Sequence, residues 1–321
     1  MTTIRPRILV TGAAGHIGRV LCRELSKRGF IVRAVIRSLE SASELPPGVE
    51  LGWCGEIGPA TAWPRELFRE VDAAVHLAAK VHCRGARPEE FAAMNVQAAD
   101  TLLRAAGAQV RRFIYCSSVH AVANSSPRPL TEHDECRPTT PYGISKRDGE
   151  RVVRCRAQAT GVEAVVLRPA PVYGAGLPGD LMRLMRYAAR GYPLPPGLLR
   201  GRRSLVYVEN LVDAIIAAVE HPAAGGETFF VSDGSEVTLS ELLQASATAC
   251  GRSLRRLPIP AAMLQPILTL AGRRGAVERM TGSLTVSSDK IRNMLGWRRP
   301  YGLAEALVRT FGARADVRKA A

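Results

Sequence analysis

Lysine is scarce in this chain. Only residues 27, 80, 146, 290 and 319 carry it, although Lys and Arg together number 44 and the net charge is +15. Arginine supplies nearly all of that charge, dispersed along the chain with denser points at 200–203, 255–256, 273–274 and 314–319. Aromatic residues are also few, at 5%, and do not interleave with the basic points as they do where bases stack along a strand. A nucleic-acid surface is set aside on that ground. Contact of Arg273-Arg274 with an anionic membrane surface is the lesser alternative to a helix end with favourable dipole charge.

Paired cysteines are missing too. Seven lie scattered at 22, 54, 83, 116, 136, 155 and 250 with no Cys-x-x-Cys, which fits reduced thiols and neither a disulfide framework nor a metal site. No apolar run reaches the ~20 residues that cross a bilayer. The most apolar late segment, 261–271, is short and contains Gln265 and Pro266. Residues 1–7 lead straight into a strand rather than an apolar leader, so a cytoplasmic protein is expected. No internal repeat or low-complexity linker divides the chain.

What is present is alternation. Apolar runs predict strands at 7–10, 30–36, 49–53, 73–77, 113–116 and 164–167. Between them, helical spacing predicts helices at 15–28, 64–70, 89–107 and 141–160. This is the pattern of an α/β fold, a doubly wound parallel sheet covered on both faces. After residue 168 prolines and glycines multiply. Short helices are expected at 181–190, 211–220, 239–250, 261–271, 290–295 and 303–311, and a strand at 227–231. The expected division is a dinucleotide-binding domain over 1–168, rejoined by about 205–233, and a smaller mixed substrate-binding region over 169–321. The crevice between them is the place for a substrate.

Three stretches carry chemistry. Gly12-x-x-Gly15-x-x-Gly18 follows the first strand and opens the first helix, where glycines let backbone approach a pyrophosphate at a helix N-terminus. Cys116-Ser117-Ser118 ends a strand at the carboxyl edge of the sheet. Tyr142-Gly143-Ile144-Ser145-Lys146 sets a phenol and an ammonium one helical turn apart on one face. A free phenol titrates near 10, so Tyr142 needs its pKa lowered by roughly two to three to act as acid and base at neutral pH. Lys146 is expected to contribute that lowering, together with an oxidised nicotinamide. Where the second strand ends, Arg37 stands in place of the acid that selects NAD, so NADP is expected to be tolerated or preferred.

Glycine loop, serine and Tyr/Lys, in this order and at these distances, resemble the extended short-chain dehydrogenase/reductase family. Within it the chain resembles the nucleotide-sugar epimerases, dehydratases and 4-keto reductases, over nearly its whole length. The resemblance implies a Rossmann-type fold and an NAD or NADP cofactor held by Gly12, Gly15, His16, Ile17, Gly18, Arg37, Glu56, Ile57, Leu77, Ala78, Ala79, Tyr142, Lys146 and Pro169. Glu56 departs from the family's aspartate by one methylene. His76 is implied to be a structural neighbour, and Asn95 to support the active-site strand. Ser118, rather than Ser117, is implied to hold the reacting sugar oxygen, with Tyr142 as acid/base and Lys146 beside it. Substrate contacts are implied for Ser118, Asp180 and Arg203, whose planar fork of donors suits a nucleotide diphosphate.

The implied reaction is hydride transfer at C4 of a nucleoside-diphosphate sugar, as a UDP-hexose or UDP-N-acetylhexosamine 4-epimerase. The alternative is an NADPH-dependent UDP-4-keto-6-deoxy-sugar 4-reductase. Val119-His120 occupies the place of the dehydratases' Asp-Glu pair and argues against water elimination. From another class comes a non-catalytic dinucleotide-binding redox sensor, which has no use for an acid/base. A homodimer through 89–107 and 141–160 is also implied.

Overall fold

The computed structural model describes residues 5–81, 85–193, 201–254 and 282–312. The helix expected at 261–271 and the arginine pairs at 255–256 and 273–274 lie outside them. In the first half the apolar runs become β1 (Arg7–Thr11), β2 (Ile31–Ile36), β3 (Glu50–Cys54), β4 (Ala73–His76), β5 (Arg112–Cys116) and β6 (Glu163–Pro169). Shorter strands follow: β7 (Val172–Tyr173), β8 (Arg202–Ser204), β9 (Val206–Tyr207), β10 (Thr228–Val231) and β11 (Glu236–Thr238). Seven of them form one sheet in the order β10-β6-β5-β4-β1-β2-β3, with every neighbouring pair parallel. Strand order reverses at β1, which has β4 on one side and β2 on the other, and in open α/β sheets ligands bind outside the carboxyl ends at such a point.

The helices are α1 (His16–Lys27), α2 (Pro88–Ala92), α3 (Ala98–Ala106), α4 (Pro141–Thr160), α5 (Asp180–Ala189), α6 (Val208–Glu220), α7 (Leu239–Thr248), α8 (Asp289–Leu295) and α9 (Leu303–Phe311). Side chains alternate across the sheet with the period of a strand. Ile8, Val10 and Ile114 pack on one face with Leu21 and Leu25 of α1 and Leu211 and Ile215 of α6. Leu9, Phe113 and Tyr115 pack on the other with Leu102 and Leu103 of α3 and Val153 of α4. A third core joins α5, α7 and α9 through Met182, Met185, Leu243, Leu307 and Phe311. Ile17 and Val20 of α1 touch both the first and the third cores, so the helix after the glycine turn is also the hinge of the packing.

Two expected helices differ. Residues 64–70 form only a short 3-10 turn, Arg65–Phe68, and Glu70 at φ 57° stops it. The long helix over 89–107 is interrupted by a π turn, Ala93–Gln97, between α2 and α3. Asn95 lies in that turn, and the Tyr115 hydroxyl donates to its carbonyl at 2.8 Å, which competes with the regular helical ladder.

Candidate active site

Helix α4 begins where Thr140 caps it, its Oγ1 accepting from the Gly143 N–H at 3.2 Å, with Pro141 in the first position. It ends at Gly161, which takes φ +74°. Two interior glycines cost helix propensity but permit contact. A Cβ on Gly143 would collide with the His120 carbonyl, and one on Gly149 with the Tyr115 hydroxyl and, at 2.5 Å, the Asn95 carbonyl. The helix is thereby pressed against β5, the π turn and the loop that carries Ser118.

Ser118 Oγ accepts from the His120 N–H at 3.2 Å and hydrogen-bonds Tyr142. Ser117 is turned elsewhere, its hydroxyl donating to Glu150 at 2.6 Å. Lys146 is buried, and its ammonium sits 4.5 Å from the centre of the Tyr115 ring. Burial brings Lys146 down to about 8, opposed by Cys116 and Glu150. Burial also pushes the Tyr142 phenol up to about 12; the Ser118 hydrogen bond works against this, and the Cys116 thiol adds to it. The expected lowering of Tyr142 by Lys146 is therefore not what the protein chain alone produces. Desolvation dominates, and the Lys146 ammonium lies over the Tyr115 ring.

The glycine turn lies beside this centre. Gly12 holds φ +67°, and a Cβ there would approach Ala78 N to 2.9 Å. A Cβ on Gly15 would come within 3.0 Å of the Gly12 carbonyl, and one on Gly18 would collide with it. Helix α1 starts without a side-chain cap and without an acid in its first turn, leaving its N–H groups to an anion. These residues fit a dinucleotide's pyrophosphate. Thr11 Oγ1 bonds His76 Nδ1 at 2.8 Å and accepts from Ala78 N–H at 3.3 Å, tying the turn to the segment Leu77, Ala78, Ala79. His76 stacks on Phe113 and Tyr115, and burial, then Lys146, depress its pKa to about 3; it is a neutral packing residue. His16 faces the loop around Gly176, and Pro169 ends β6 beside β10. Arg37 and Glu56 are exposed just after β2 and β3, and Ile57 packs partly on the second core.

On the substrate side the candidates separate. Arg203 of β8 is half-buried, its Nη2 donating to the Gly282 carbonyl at 3.2 Å and its buried Nε without a partner among the described residues; burial lowers its pKa. Asp180 is turned to solvent, its carboxylate 83% exposed and 3.5 Å from Arg183. The structure does not bring Asp180 to the other residues. Among the described residues no cluster of His, Cys, Asp and Glu could hold a metal, and no helix is long and apolar enough to cross a membrane.

Sequence reasoning passed over Glu150 and Arg168. Arg168 Nε and Nη2 donate to Glu150 at 2.9 and 2.7 Å, both residues being buried. The signal was available: Glu150 stands four residues after Lys146 and eight after Tyr142, on the same helical face.

Comparison with known proteins places the chain in a family. A UDP-glucose 4-epimerase of Vibrio cholerae is 31% identical over 312 residues, 94% of each chain. The 4-hydroxy-2-methyl-3-oxo-4-farnesyl-3,4-dihydroquinoline-1-oxide ketoreductase of Stigmatella aurantiaca is 31% identical over 91% of each chain. A UDP-glucuronic acid 4-epimerase of Bacillus cereus, solved with UDP-glucuronic acid and NAD, shares the fold with a TM-score of 0.77 at 20% identity, over 97% of this chain and 99% of that one. Residues 8–232 match the NAD dependent epimerase/dehydratase family, and the chain belongs to it, as an enzyme of the extended short-chain dehydrogenase/reductase type.

Proposed function

We propose that this enzyme is a 4-epimerase of a UDP-hexose or UDP-N-acetylhexosamine. The observation that supports the reading is the hydrogen bond between buried Ser118 and half-buried Tyr142, with buried Lys146 one turn further along α4 over the Tyr115 ring. Gly12, Gly15 and Gly18 would hold the cofactor pyrophosphate, and Lys146 has donors for the nicotinamide ribose. When bound, the cofactor supplies the carbon that accepts and returns hydride, and in its oxidised form a positive charge. Ser118 holds the C4 oxygen of the sugar and Tyr142 takes its proton as the C4–H bond breaks. The keto-sugar then turns, and Tyr142 returns the proton as hydride reaches the other face. Arg203, a half-buried cation with no acidic partner among the described residues, suits the diphosphate.

The second reading is an NADPH-dependent 4-keto reductase. Arg37, exposed after β2, favours it by offering a charge-assisted contact to a 2′-phosphate, worth about 1.5–3 kcal/mol. The ketoreductase relative at 31% identity supports it too. Mass spectrometry of the co-purifying cofactor, followed by incubation with UDP-glucose, UDP-galactose and UDP-N-acetylglucosamine, and separately with a UDP-4-keto-6-deoxy-hexose and NADPH, separates the two. Interconversion of 4-epimers with no net use of added nicotinamide supports the epimerase. Reduction of a 4-keto sugar with stoichiometric loss of NADPH, and no interconversion, replaces it with the reductase.

A further inference from the structure

The carboxylate of Glu150 lies where three parts of the reaction centre meet. It accepts from Ser117 Oγ at 2.6 Å, from Arg168 Nε at 2.9 Å and Nη2 at 2.7 Å, and from Arg154 Nη2 at 3.1 Å. Ser117 is the chain neighbour of Ser118. Arg168 precedes Pro169 at the carboxyl end of β6. Glu150 itself stands on α4, one turn beyond Lys146 and two beyond Tyr142. Arg168 is held in turn by Cys136 Sγ at 3.2 Å and by the Phe230 ring, 5.6 Å from its guanidinium carbon. A buried ion pair adds little stability over apolar side chains of the same volume, so stability alone does not account for it. What the three hydrogen bonds from Ser117 and Arg168 do supply is a fixed distance between the strand ends and the helix, with Arg154 of the same helix holding the carboxylate from its other side.

Resting on the reading of Ser118, Tyr142 and Lys146 given above, we propose that Glu150 is a positioning residue. Through Ser117 and Arg168 it sets the separation of the Ser118 loop from the Tyr142–Lys146 face, and its charge supports the ammonium of Lys146. The groups facing Lys146 are the Cys116 thiol and His76 imidazole from the sheet, the Tyr115 ring beneath it, and Tyr142 and Glu150 from its own helix. Those around Glu150 are Arg168, Arg154, Cys136 and Tyr115. Within this set Glu150 and the Cys116 thiol favour the charged lysine, and Glu150 is paired with Arg168 and Arg154. Its neutralisation therefore lets Lys146 lose its proton at lower pH.

The test uses the full-length enzyme and whichever UDP-sugar of the panel it turns over fastest. In Glu150→Gln, kcat falls at least about tenfold, while KM and NAD affinity by calorimetry stay within about threefold. The alkaline limb of kcat moves down by about half a pH unit or more. Glu150→Asp keeps the charge and restores the limb but only part of kcat. Should Glu150→Gln fail to fold, Ser117→Ala leaves the ion pair intact and lowers kcat by roughly three- to tenfold at unchanged KM. A folded Glu150→Gln enzyme, or failing that Ser117→Ala, with kcat within about twofold of wild type and an unmoved limb overturns the positioning role. If Tyr142→Phe is inactive in the same assay, the reaction centre survives that result. An active Tyr142→Phe enzyme, or a wild type inert toward every sugar of the panel, removes both.

Discussion

Lys146 Nζ stands 4.5 Å from the centre of the Tyr115 ring, and the Tyr115 hydroxyl is already committed to the Asn95 carbonyl at 2.8 Å. The ring thus holds the cation by its face without neutralising it. Such a cation remains available to a second partner, and the low dielectric around it makes its proton easier to lose.

The first prediction concerns Tyr142. Burial disfavours the phenolate, so without cofactor the group stays protonated through pH 10, its pKa lying at about 12. A nearby positive nicotinamide favours the phenolate and shifts the titration down. Ultraviolet difference titration of wild type against Tyr142→Phe reads this directly. The Tyr142 signal is absent below about pH 11 in the free protein and appears at lower pH with NAD⁺. Tyr142→Phe binds NAD normally and loses roughly 10²–10⁴-fold in turnover. A phenolate signal near neutrality in the free protein would show that Lys146 suffices alone.

His76 makes stability depend on acid. Its folded pKa is depressed to about 3, against about 6.5 for a free imidazole. Between these values the unfolded chain binds a proton that the folded one refuses, so stability rises with pH through this window and is lost as pH falls. The slope contributed is up to about 1.4 kcal/mol per pH unit. Urea unfolding of wild type and His76→Phe at pH 7.5 and 4.5 compares them. The variant is less stable at the upper pH because Thr11 loses its partner, and the gap narrows at the lower one. Parallel curves would mean that His76 is not the group responsible.

How much of this was legible in sequence depends on the distance over which each feature is determined. Helix α4 was readable to its ends because Thr140, Pro141 and Gly161 are local signals. Strands β1 to β6 were readable because buried parallel strands are continuous apolar runs. The π turn was not, because the bonds that hold Asn95 come from Lys80 and Ser145, 15 and 50 residues away. Arg112 is another such case. It is fully buried under α6, donating to the carbonyls of Ala218, Val219 and His221, and nothing local distinguishes it from a surface arginine. The upward push on the Tyr142 phenol in the chain alone was not legible for the same reason, since it follows from burial. Asp180 was placed by its position in a motif, and its side chain is turned to solvent.

Gly18 tests the glycine turn. A Cβ there meets the Gly12 and Ala13 carbonyls, and backbone cannot yield as a flexible side chain can. Gly18→Ala therefore loses about 1–3 kcal/mol of stability from overpacking. It is also expected to weaken NAD binding by about tenfold or more, because the carbonyls it displaces belong to the turn proposed to hold the pyrophosphate. Thermal unfolding and calorimetry on the same preparation check both. Unchanged NAD affinity in a destabilised variant would detach the turn from the cofactor.

Arg203 distinguishes a substrate clamp from an idle cation. Its half-buried guanidinium has one backbone carbonyl, that of Gly282, as its partner among the described residues, and its Nε has none there. Leaving a cation so placed costs free energy that an anion recovers on binding, and a diphosphate matches its planar donors. Removing it leaves the reacting sugar atoms untouched, so the loss belongs to binding rather than to the chemical step. Arg203→Ala is expected to raise KM for a UDP-sugar about tenfold or more with kcat within about threefold. Arg203→Lys recovers only part, since an ammonium keeps the charge but loses the bidentate fork. UDP itself, titrated by calorimetry, weakens in parallel with KM. An unchanged KM and unchanged UDP affinity would take Arg203 out of the site and leave its buried Nε as a feature of packing alone.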